Sequence, residues 1–191
     1  MVLMLKEPRP GRVKTRLGQS IGMTGAAWWF RHQTRALIRR LDDPRWQMIL
    51  AVAPDHAGMA SRVWPEHLPR LPQGAGDLGD RMARIFRSLG PGPALIIGGD
   101  IPGITKPVIT SAFGALGAAS AVLGPVTDGG YWGVGLKRPS APPAGLFEGV
   151  RWSTEHALAD TAQTLPHPVA VVETLRDVDT LEDLQALRLS R

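Results

Sequence analysis

Six short runs of strand-forming residues, separated by longer stretches with helical periodicity, constrain the fold of this 191-residue chain most strongly. The runs lie at residues 2–5, 47–53, 94–98, 119–123, 131–136 and 169–174. Several of them are apolar on both faces, which is typical of buried strands in a mostly parallel sheet covered by helices. The length suits one domain with a substantial core better than two. We therefore predict a single α/β domain over residues 1–191, with a Rossmann-like sheet in three α/β/α layers.

Helices are expected between these runs. The sequence predicts them at residues 24–41, 79–89, 105–116 and 153–165, with a last one after Thr180. Thr180 and Asp183 have the spacing of a capping box at the start of that last helix.

The first predicted helix has an apolar side and a basic side. Its buried side is expected to contain Trp28, Trp29, Ala36, Leu37 and Leu41. Its arginines are expected mostly to face water: Arg31, Arg35, Arg39 and Arg40. Residues 65–76 and 138–145 carry several prolines or glycines and are expected to form irregular loops.

A loop rich in cations follows the first apolar run. Residues 6–17 contain five cations, and the loop is stiffened by Pro8 and Pro10 and sterically open at Gly11. Such a loop can surround a polyphosphate with main-chain amides and long cationic side chains. A solvated surface or a nonspecific anion patch is the alternative interpretation. The spacing from Gly11 to Lys14 does not match a Walker A motif, so an ATPase of that type is disfavoured. The favoured ligand is a nucleotide.

Charge and composition narrow the class of partner. The formal net charge is +5, and arginine supplies 18 of the 22 basic residues, which suits phosphate binding. The cations are scattered instead of forming a stripe with interleaved aromatics, so a small phosphorylated ligand is favoured over nucleic acid. Without cysteine, disulfides, thiolate metal sites and cysteine nucleophiles are excluded. No apolar run is long enough for a membrane span or a signal peptide, so we expect a cytoplasmic protein without a membrane partner.

Two acidic motifs follow predicted strands. Asp100 comes after an apolar run that ends in Gly98 and Gly99, where an α/β sheet binds ligands and a carboxylate can hold a divalent cation that bridges phosphates. Asp100 could instead cap the turn before Pro102. Asp128 belongs to an Asp-Gly pair that favours a hairpin turn, and the adjacent glycines would also let a sugar or base approach the backbone.

Two further acidic motifs lie beside predicted helices. Asp177 and Asp179 alternate on an extended segment before the last helix, where they could cap it or supply a second metal ligand. Asp77 and Asp80 precede or begin another helix and could also be caps, with Arg81 as a surface cation or a supporting residue.

Together, these motifs resemble one family, the glycosyltransferase-like proteins of nucleotide-diphospho-sugar transferase fold, which includes the type assigned to arsenosugar biosynthesis. The resemblance covers nearly the whole chain, in six ordered segments: 6–17, 73–82, 98–102, 124–131, 146–154 and 177–184. It implies a GT-A-like fold. The family is also similar in fold to molybdenum-cofactor and 2-phospholactate guanylyltransferases, so fold alone does not settle the reaction.

The resemblance implies roles for individual residues. The nucleotide and phosphate side is expected to contain Lys6, Gly11, Lys14, Thr15, Arg16, Asp77 and Arg81. Asp100 would ligate Mg²⁺ or Mn²⁺, and Asp179 or Asp177 would complete the metal site. Asp128 would be a catalytic residue, the general base for an acceptor hydroxyl. The acceptor or sugar side is expected to contain Gly129, Gly130, Tyr131, Trp152 and Ser153.

Several functions remain open at this point. The favoured one is a metal-dependent glycosyltransferase that uses a nucleotide-diphosphate sugar and a small-molecule acceptor. A nucleotidyltransferase that consumes a nucleoside triphosphate and releases pyrophosphate would use the same basic loop. A nucleotide-binding module without catalysis is a third possibility, and nonspecific nucleic-acid binding is the least favoured. The sequence does not indicate the base, the sugar, the acceptor or the oligomeric state.

Overall fold

A seven-stranded sheet forms the centre of the protein, for which the computed structural model describes residues 1–138 and 140–189. The strands are β1 (Val2–Lys6), β2 (Ile49–Ala53), β3 (Arg70–Pro72), β4 (Ala94–Gly98), β5 (Ala121–Pro125), β6 (Tyr131–Leu136) and β7 (Val169–Val171). The helices are α1 (Thr15–Ile21), α2 (Met23–Leu41), α3 (Asp55–Met59), α4 (Leu78–Ser88), α5 (Lys106–Ala115), α6 (Ala157–Thr164) and α7 (Leu181–Leu189).

The strand order is β3-β2-β1-β4-β6-β5-β7. Strand β6 runs antiparallel to both of its neighbours, and the other pairings are parallel. The mostly parallel sheet predicted from the apolar runs is therefore confirmed. Residues 126–130 reverse the chain between β5 and β6, which confirms the hairpin that the Asp-Gly pair predicted.

Successive residues of each strand point to opposite faces of the sheet, and both faces are covered. Leu3 and Leu5 of β1 pack in one core cluster with residues of α2 and α5. Val2 packs in the other cluster with residues of α4 and α6. The two clusters explain why the runs are apolar on both faces and confirm the three-layer α/β/α architecture.

Three short elements were not predicted. Strand β3 lies within residues 65–76, which were expected to be an irregular loop. Helix α1 follows the basic loop directly, and α3 follows β2. Each of these elements is seven residues or fewer, too short to give a clear periodicity. Helix α6 begins at Ala157, four residues later than predicted, because residues 153–156 form turns.

Two expectations for α2 are wrong. Trp28 is 59% exposed and stacks on His32, whose ring centroid is 5.0 Å away, so it does not join the core. Leu37 and Leu41 are fully buried as predicted. Arg40 does not simply face water, because its guanidinium donates to the carbonyls of Ile104 and Pro102, each at 2.8 Å.

The capping box predicted for α7 is confirmed. The amide of Asp183 donates to the hydroxyl of Thr180, and the amide of Thr180 donates to the carboxylate of Asp183. Among the helices of the described residues, none is long and apolar enough to cross a membrane.

A packing test follows from the glycine in β5. A Cβ on Gly124 would lie 2.1 Å from the indole ring of Trp132, which is buried and donates to the carbonyl of Glu173. Gly124→Ala should therefore lower the free energy of unfolding by about 2 kcal/mol, as expected for overpacking. The matched control is Gly114→Ala in α5, where the new Cβ meets nothing within 4 Å. Urea denaturation checks both variants. Equal stabilities would contradict the packing described here.

Candidate active site

A cleft of about 770 Å³ opens at the carboxyl ends of β1 and β4. The amino end of β6 lies at the same edge, because β6 runs antiparallel to β4. Three loops therefore meet there: the basic loop after β1, the turn after β4 and the turn before β6. This is the edge at which open α/β sheets bind ligands.

The structure brings most of the predicted site residues to this cleft. Those that line it are Lys6, Lys14, Thr15, Arg16, Asp77, Arg81, Asp100, Tyr131, Trp152, Ser153 and Asp179. Those outside its lining are Gly11, Asp128, Gly129, Gly130 and Asp177.

Lys14 connects two carboxylates that are distant in sequence. Its ammonium nitrogen lies 2.9 Å from Oδ2 of Asp100 and 2.5 Å from Oδ1 of Asp179. The lysine side chain is only 5% exposed. Burial lowers the pKa of Lys14, but the two carboxylates outweigh burial, so its pKa lies above the ordinary value and the ammonium stays charged. The ion pairs join the basic loop, the end of β4 and the segment before α7.

The backbone at Lys14 is strained. Its φ is 45° and its ψ is 49°, the left-handed conformation, at the residue directly before α1. For a residue other than glycine this conformation costs about 1 kcal/mol, which the ion pairs can offset. Gly11 also has a positive φ of 72°, and a Cβ there would meet nothing within 4 Å. Glycine at residue 11 is therefore explained by the turn of the loop.

Asp177 lies beside this charged group. Its pKa is raised to about 6, mainly by burial and also by the negative charges of Asp179, Asp128 and Asp100, against the opposing effect of Lys14. The three carboxylates around Lys14, those of Asp100, Asp177 and Asp179, therefore carry excess negative charge, which a bound cation would neutralise.

An aromatic wall forms the β6 side of the cleft. The ring of Trp152 lies between those of Tyr131 and Phe147, with centroid distances of 6.4 and 6.3 Å. The hydroxyl of Thr161 donates to the phenol oxygen of Tyr131 at 3.4 Å. Burial raises the pKa of Tyr131 well above its ordinary value, so the phenol remains neutral. The wall offers apolar contact and no charge. Ser153, which follows Trp152, also has a positive φ, of 60°.

The amino end of α4 forms another side of the cleft. Asp77 caps this helix in a capping box with Asp80, so its carboxylate is engaged by a backbone amide. Arg81 donates from Nε to the carbonyl of Gly76 at 3.0 Å.

Asp128 belongs to the turn between β5 and β6. Its carboxylate is exposed and accepts from the amide of Gly130 at 3.0 Å. Gly129 has a φ of 87°, and a Cβ there would lie 2.5 Å from Cα of Glu155. The glycine is therefore required by the turn and by packing against residues 155–158.

The carboxylates suit a divalent cation only in part. Among the described residues, no group of three or more His, Asp or Glu side chains is arranged to hold a metal ion. Asp100 and Asp179 already share one cation, the ammonium of Lys14. Mg²⁺ commonly binds through one or two carboxylates plus substrate phosphates, and Asp100 and Asp179 could supply the two carboxylates if Lys14 were displaced from them.

Among the cleft residues that received no individual role from the sequence, two are a cation and an amide. Arg12 is one of the five cations of the basic loop, and its side chain reaches the cleft with Lys14 and Arg16. Gln73 is buried and lies at the base of the cleft. Gln73 begins one of the six segments that match the family pattern, so the sequence contained its motif. The orientation of its side chain could not be predicted from that motif.

Solved structures identify the fold. A protein from Desulfovibrio desulfuricans, whose assignment as a nucleotide-diphospho-sugar transferase is itself provisional, is 28% identical, with a TM-score of 0.86 over 97% of this chain and 84% of that one. The 4-diphosphocytidyl-2C-methyl-D-erythritol synthase of Anaerococcus prevotii is 12% identical, with a TM-score of 0.60 over 100% and 99%. Rv0371c of Mycobacterium tuberculosis, in complex with manganese, is 17% identical, with a TM-score of 0.56 over 100% and 98%. The fold is that of the nucleotide-diphospho-sugar transferases, as the resemblance implied.

The sequence also defines a family. The DUF2064 family, described as an uncharacterized protein conserved in bacteria, matches residues 36–154, more than half of the chain. The chain belongs to this family. Among curated proteins, no match was found.

The raised pKa of Asp177 predicts a pH dependence of stability. Between about pH 4 and pH 6 the folded protein binds a proton at Asp177 that the unfolded chain does not bind, so this residue makes the protein more stable as the pH falls from 7 to 4. Asp177→Asn should remove this contribution and raise the free energy of unfolding at pH 7 by about 1 kcal/mol, because the half-buried group is partly screened.

Urea denaturation from pH 4 to pH 8, without metal or nucleotide, measures this contribution as the difference in the free energy of unfolding between Asp177→Asn and the wild type. Asp42→Asn, at the exposed end of α2, is the control. A difference that does not change with pH would contradict the placement of Asp177 among the other carboxylates.

Proposed function

We propose that this protein is a metal-dependent glycosyltransferase that takes a sugar from a nucleotide-diphosphate donor. The observation that carries the proposal is the position of Lys14, whose buried ammonium is held by Asp100 and Asp179 at the base of a basic loop. A buried lysine shared by two carboxylates, at the ligand-binding edge of an α/β sheet, is suited to a ligand that brings both a cation and phosphates.

The basic loop would bind the phosphates. Arg12 lines the cleft on the same loop as Lys14, with Lys6 at the end of β1 and Arg16 at the start of α1. Arg16 is 74% exposed and only 3.6 Å from the carboxylate of Asp179, so it is free to turn toward a ligand at little cost. Long cations on a loop fixed by its turns can surround a diphosphate without a large rearrangement of the backbone.

Asp100 and Asp179 would hold the divalent cation, and Asp177 would assist from the adjacent position. Such an ion, Mg²⁺ or Mn²⁺, would neutralise charge on the leaving diphosphate. The manganese complex of the structurally similar Mycobacterium tuberculosis protein supports the choice of cation. Lys14 would then pair with phosphate oxygens in place of the carboxylates.

The other side of the cleft would receive the sugar and the acceptor. Tyr131 and Trp152 offer the flat apolar surface that sugar rings contact in proteins, and Ser153 adds a hydroxyl. Asp128, with Gly129 and Gly130, lies in the turn that precedes Tyr131. Asp128 would be the general base for the acceptor hydroxyl.

Nucleotidyl transfer is the second candidate. It is favoured by the likeness in fold to the Anaerococcus prevotii synthase, which extends over 99% of that chain. In this reaction the same loop would bind a nucleoside triphosphate, and pyrophosphate would be the leaving group. The two reactions differ in their products and in the ligand that the free protein prefers.

Ligand binding to the purified protein tests the proposal. The melting temperature should rise with a nucleotide sugar and with the corresponding nucleoside diphosphate, and more so with Mg²⁺ or Mn²⁺. Lys14→Met should weaken nucleotide binding by about tenfold or more, as expected for the loss of charged hydrogen bonds. Lys106→Met is the matched control, because Lys106 lies outside the cleft lining and its ammonium pairs with Asp43.

The outcomes separate the candidate functions. A stronger response to nucleoside triphosphates, with pyrophosphate as a product, would favour nucleotidyl transfer. Binding of nucleotides without any turnover over a range of acceptors would favour a module without catalysis. The absence of stabilisation by every nucleotide tested would falsify the nucleotide site.

Asp128→Asn tests the general base separately. The asparagine carbonyl can still accept from the amide of Gly130, so the turn should persist and the melting temperature should not change. The loss of basicity should lower kcat by about 100-fold with little change in nucleotide affinity. Unchanged turnover would return Asp128 to a purely structural role in the turn.

A further inference from the structure

The side-chain amide of Gln73 is fixed in one orientation. Gln73 follows β3, and its own amide N–H donates to the carbonyl of Val52. Its side-chain nitrogen donates to the carbonyls of Leu5 and Ala51, at 3.1 and 2.9 Å. Because both partners are carbonyl oxygens, the side chain cannot be turned over without placing oxygen against oxygen.

The remaining polar atom of this amide, Oε1, is unpaired within the part of the chain that the structure describes. Gln73 is 3% exposed and lines the cleft, and its Oε1 has no hydrogen-bond partner among the described residues. Because Oε1 is not fully enclosed, a ligand in the cleft that Gln73 lines could reach it. The NH₂ group of this amide is already engaged, so the amide can offer a ligand only its carbonyl oxygen, which is an acceptor.

The segment that carries Gln73 is held rigidly. Arg84 donates to the carbonyls of Gln73 and Ala75, at 2.6 and 2.9 Å. The amide of Gly74 donates to the carboxylate of Asp55 at 3.0 Å. Gly74 has a φ of 77°, and a Cβ there would lie 2.5 Å from the guanidinium of Arg84. The acceptor is thus positioned before any ligand arrives.

The strand order places this acceptor on one side of the basic loop that follows β1. Gln73 belongs to the β3–β2 side of β1, whereas Asp100 and Tyr131 belong to β4 and β6 on the other side. Neighbouring strands lie about 4.8 Å apart, so the three zones succeed one another along the sheet edge. A nucleotide whose phosphates contact the loop after β1 and whose transferred group faces Tyr131 has its base on the side of Gln73.

We propose that Oε1 of Gln73 accepts a hydrogen bond from the base of the nucleotide and so selects bases that carry an amino group. This inference rests on the proposed nucleotide site. The exocyclic amino group of cytosine, adenine or guanine would donate to it. A carbonyl group at the same place, as in uracil or hypoxanthine, would face the Gln73 oxygen and be rejected. Sites built around a buried hydrogen-bonding group discriminate strongly against ligands that cannot pair with it.

Three pairs of nucleoside diphosphates test this selection by titration calorimetry in the presence of Mg²⁺. Cytidine and uridine diphosphates differ at the amino position, as do adenosine and inosine diphosphates, and inosine diphosphate lacks the 2-amino group of guanosine diphosphate. In at least one pair, the wild type should bind the amino form about tenfold more tightly or better. In Gln73→Met the preference should fall below about threefold, with the affinity for inorganic pyrophosphate retained.

A second measurement does not depend on the stability of the variant. In wild-type protein with ¹³C-labelled glutamine side chains, the carboxamide ¹³C signal of Gln73 should shift with the preferred amino nucleotide and not with pyrophosphate. Equal affinities within all three pairs, a preference for the carbonyl forms, or an unchanged carboxamide signal would overturn the inference. If neither pyrophosphate nor any nucleotide binds, the proposed function itself fails, and that result is distinct from loss of base selection.

Discussion

Strand β1 is paired on both sides, to β2 and to β4, and the position of every loop in the cleft depends on that pairing. Leu3 and Leu5 are buried against one helical layer and Val2 against the other, so the strand can neither slide nor tilt without exposing apolar surface. The basic loop begins where β1 ends, and the turn that carries Asp100 begins where β4 ends. Parallel pairing alone brings these two chemically opposite segments to one edge.

Electrostatics then connects segments that the sheet only brings near. The ammonium of Lys14 is the cation that Asp100 and Asp179 share, and Lys14 and Asp179 are 165 positions apart in the chain. A single buried lysine does not neutralise the neighbouring carboxylates, and the raised pKa of Asp177 reports the remaining repulsion. The left-handed backbone at Lys14 is a second local cost at the same place. Backbone strain and charge repulsion thus coincide at the charged residues of the proposed binding site.

The sequence predicted the architecture because its signals were long and repeated. The apolar runs, the capping box of α7 and the Asp-Gly turn each depend on local residue types, and each was found as expected. Strand β3 and helices α1 and α3 were missed because elements this short depend on contacts with the rest of the chain. Trp28 shows the limit of the same reasoning: helical periodicity identifies an apolar stripe, but the width of the buried part is set by the neighbouring layer. Most of the predicted site residues line the cleft, but Asp128 and Asp177 do not. The ion pairs of Lys14 and the fixed amide of Gln73 depend on distances that no spacing in the sequence encodes.

The charges of the site make the proposed cation and nucleotide depend on each other. A phosphate chain alone would approach Asp100 and Asp179 against their negative charge, while Lys14, the cation nearest to them, is already paired with both. A divalent cation alone would have to displace that lysine from both carboxylates, and few other ligands are arranged around it. When both bind, the cation would pair with the carboxylates of Asp100 and Asp179, and Lys14 would pair with the phosphates. Each of these charged groups would then have a partner of opposite charge. Binding of either one therefore favours binding of the other, and the coupling is equal in both directions.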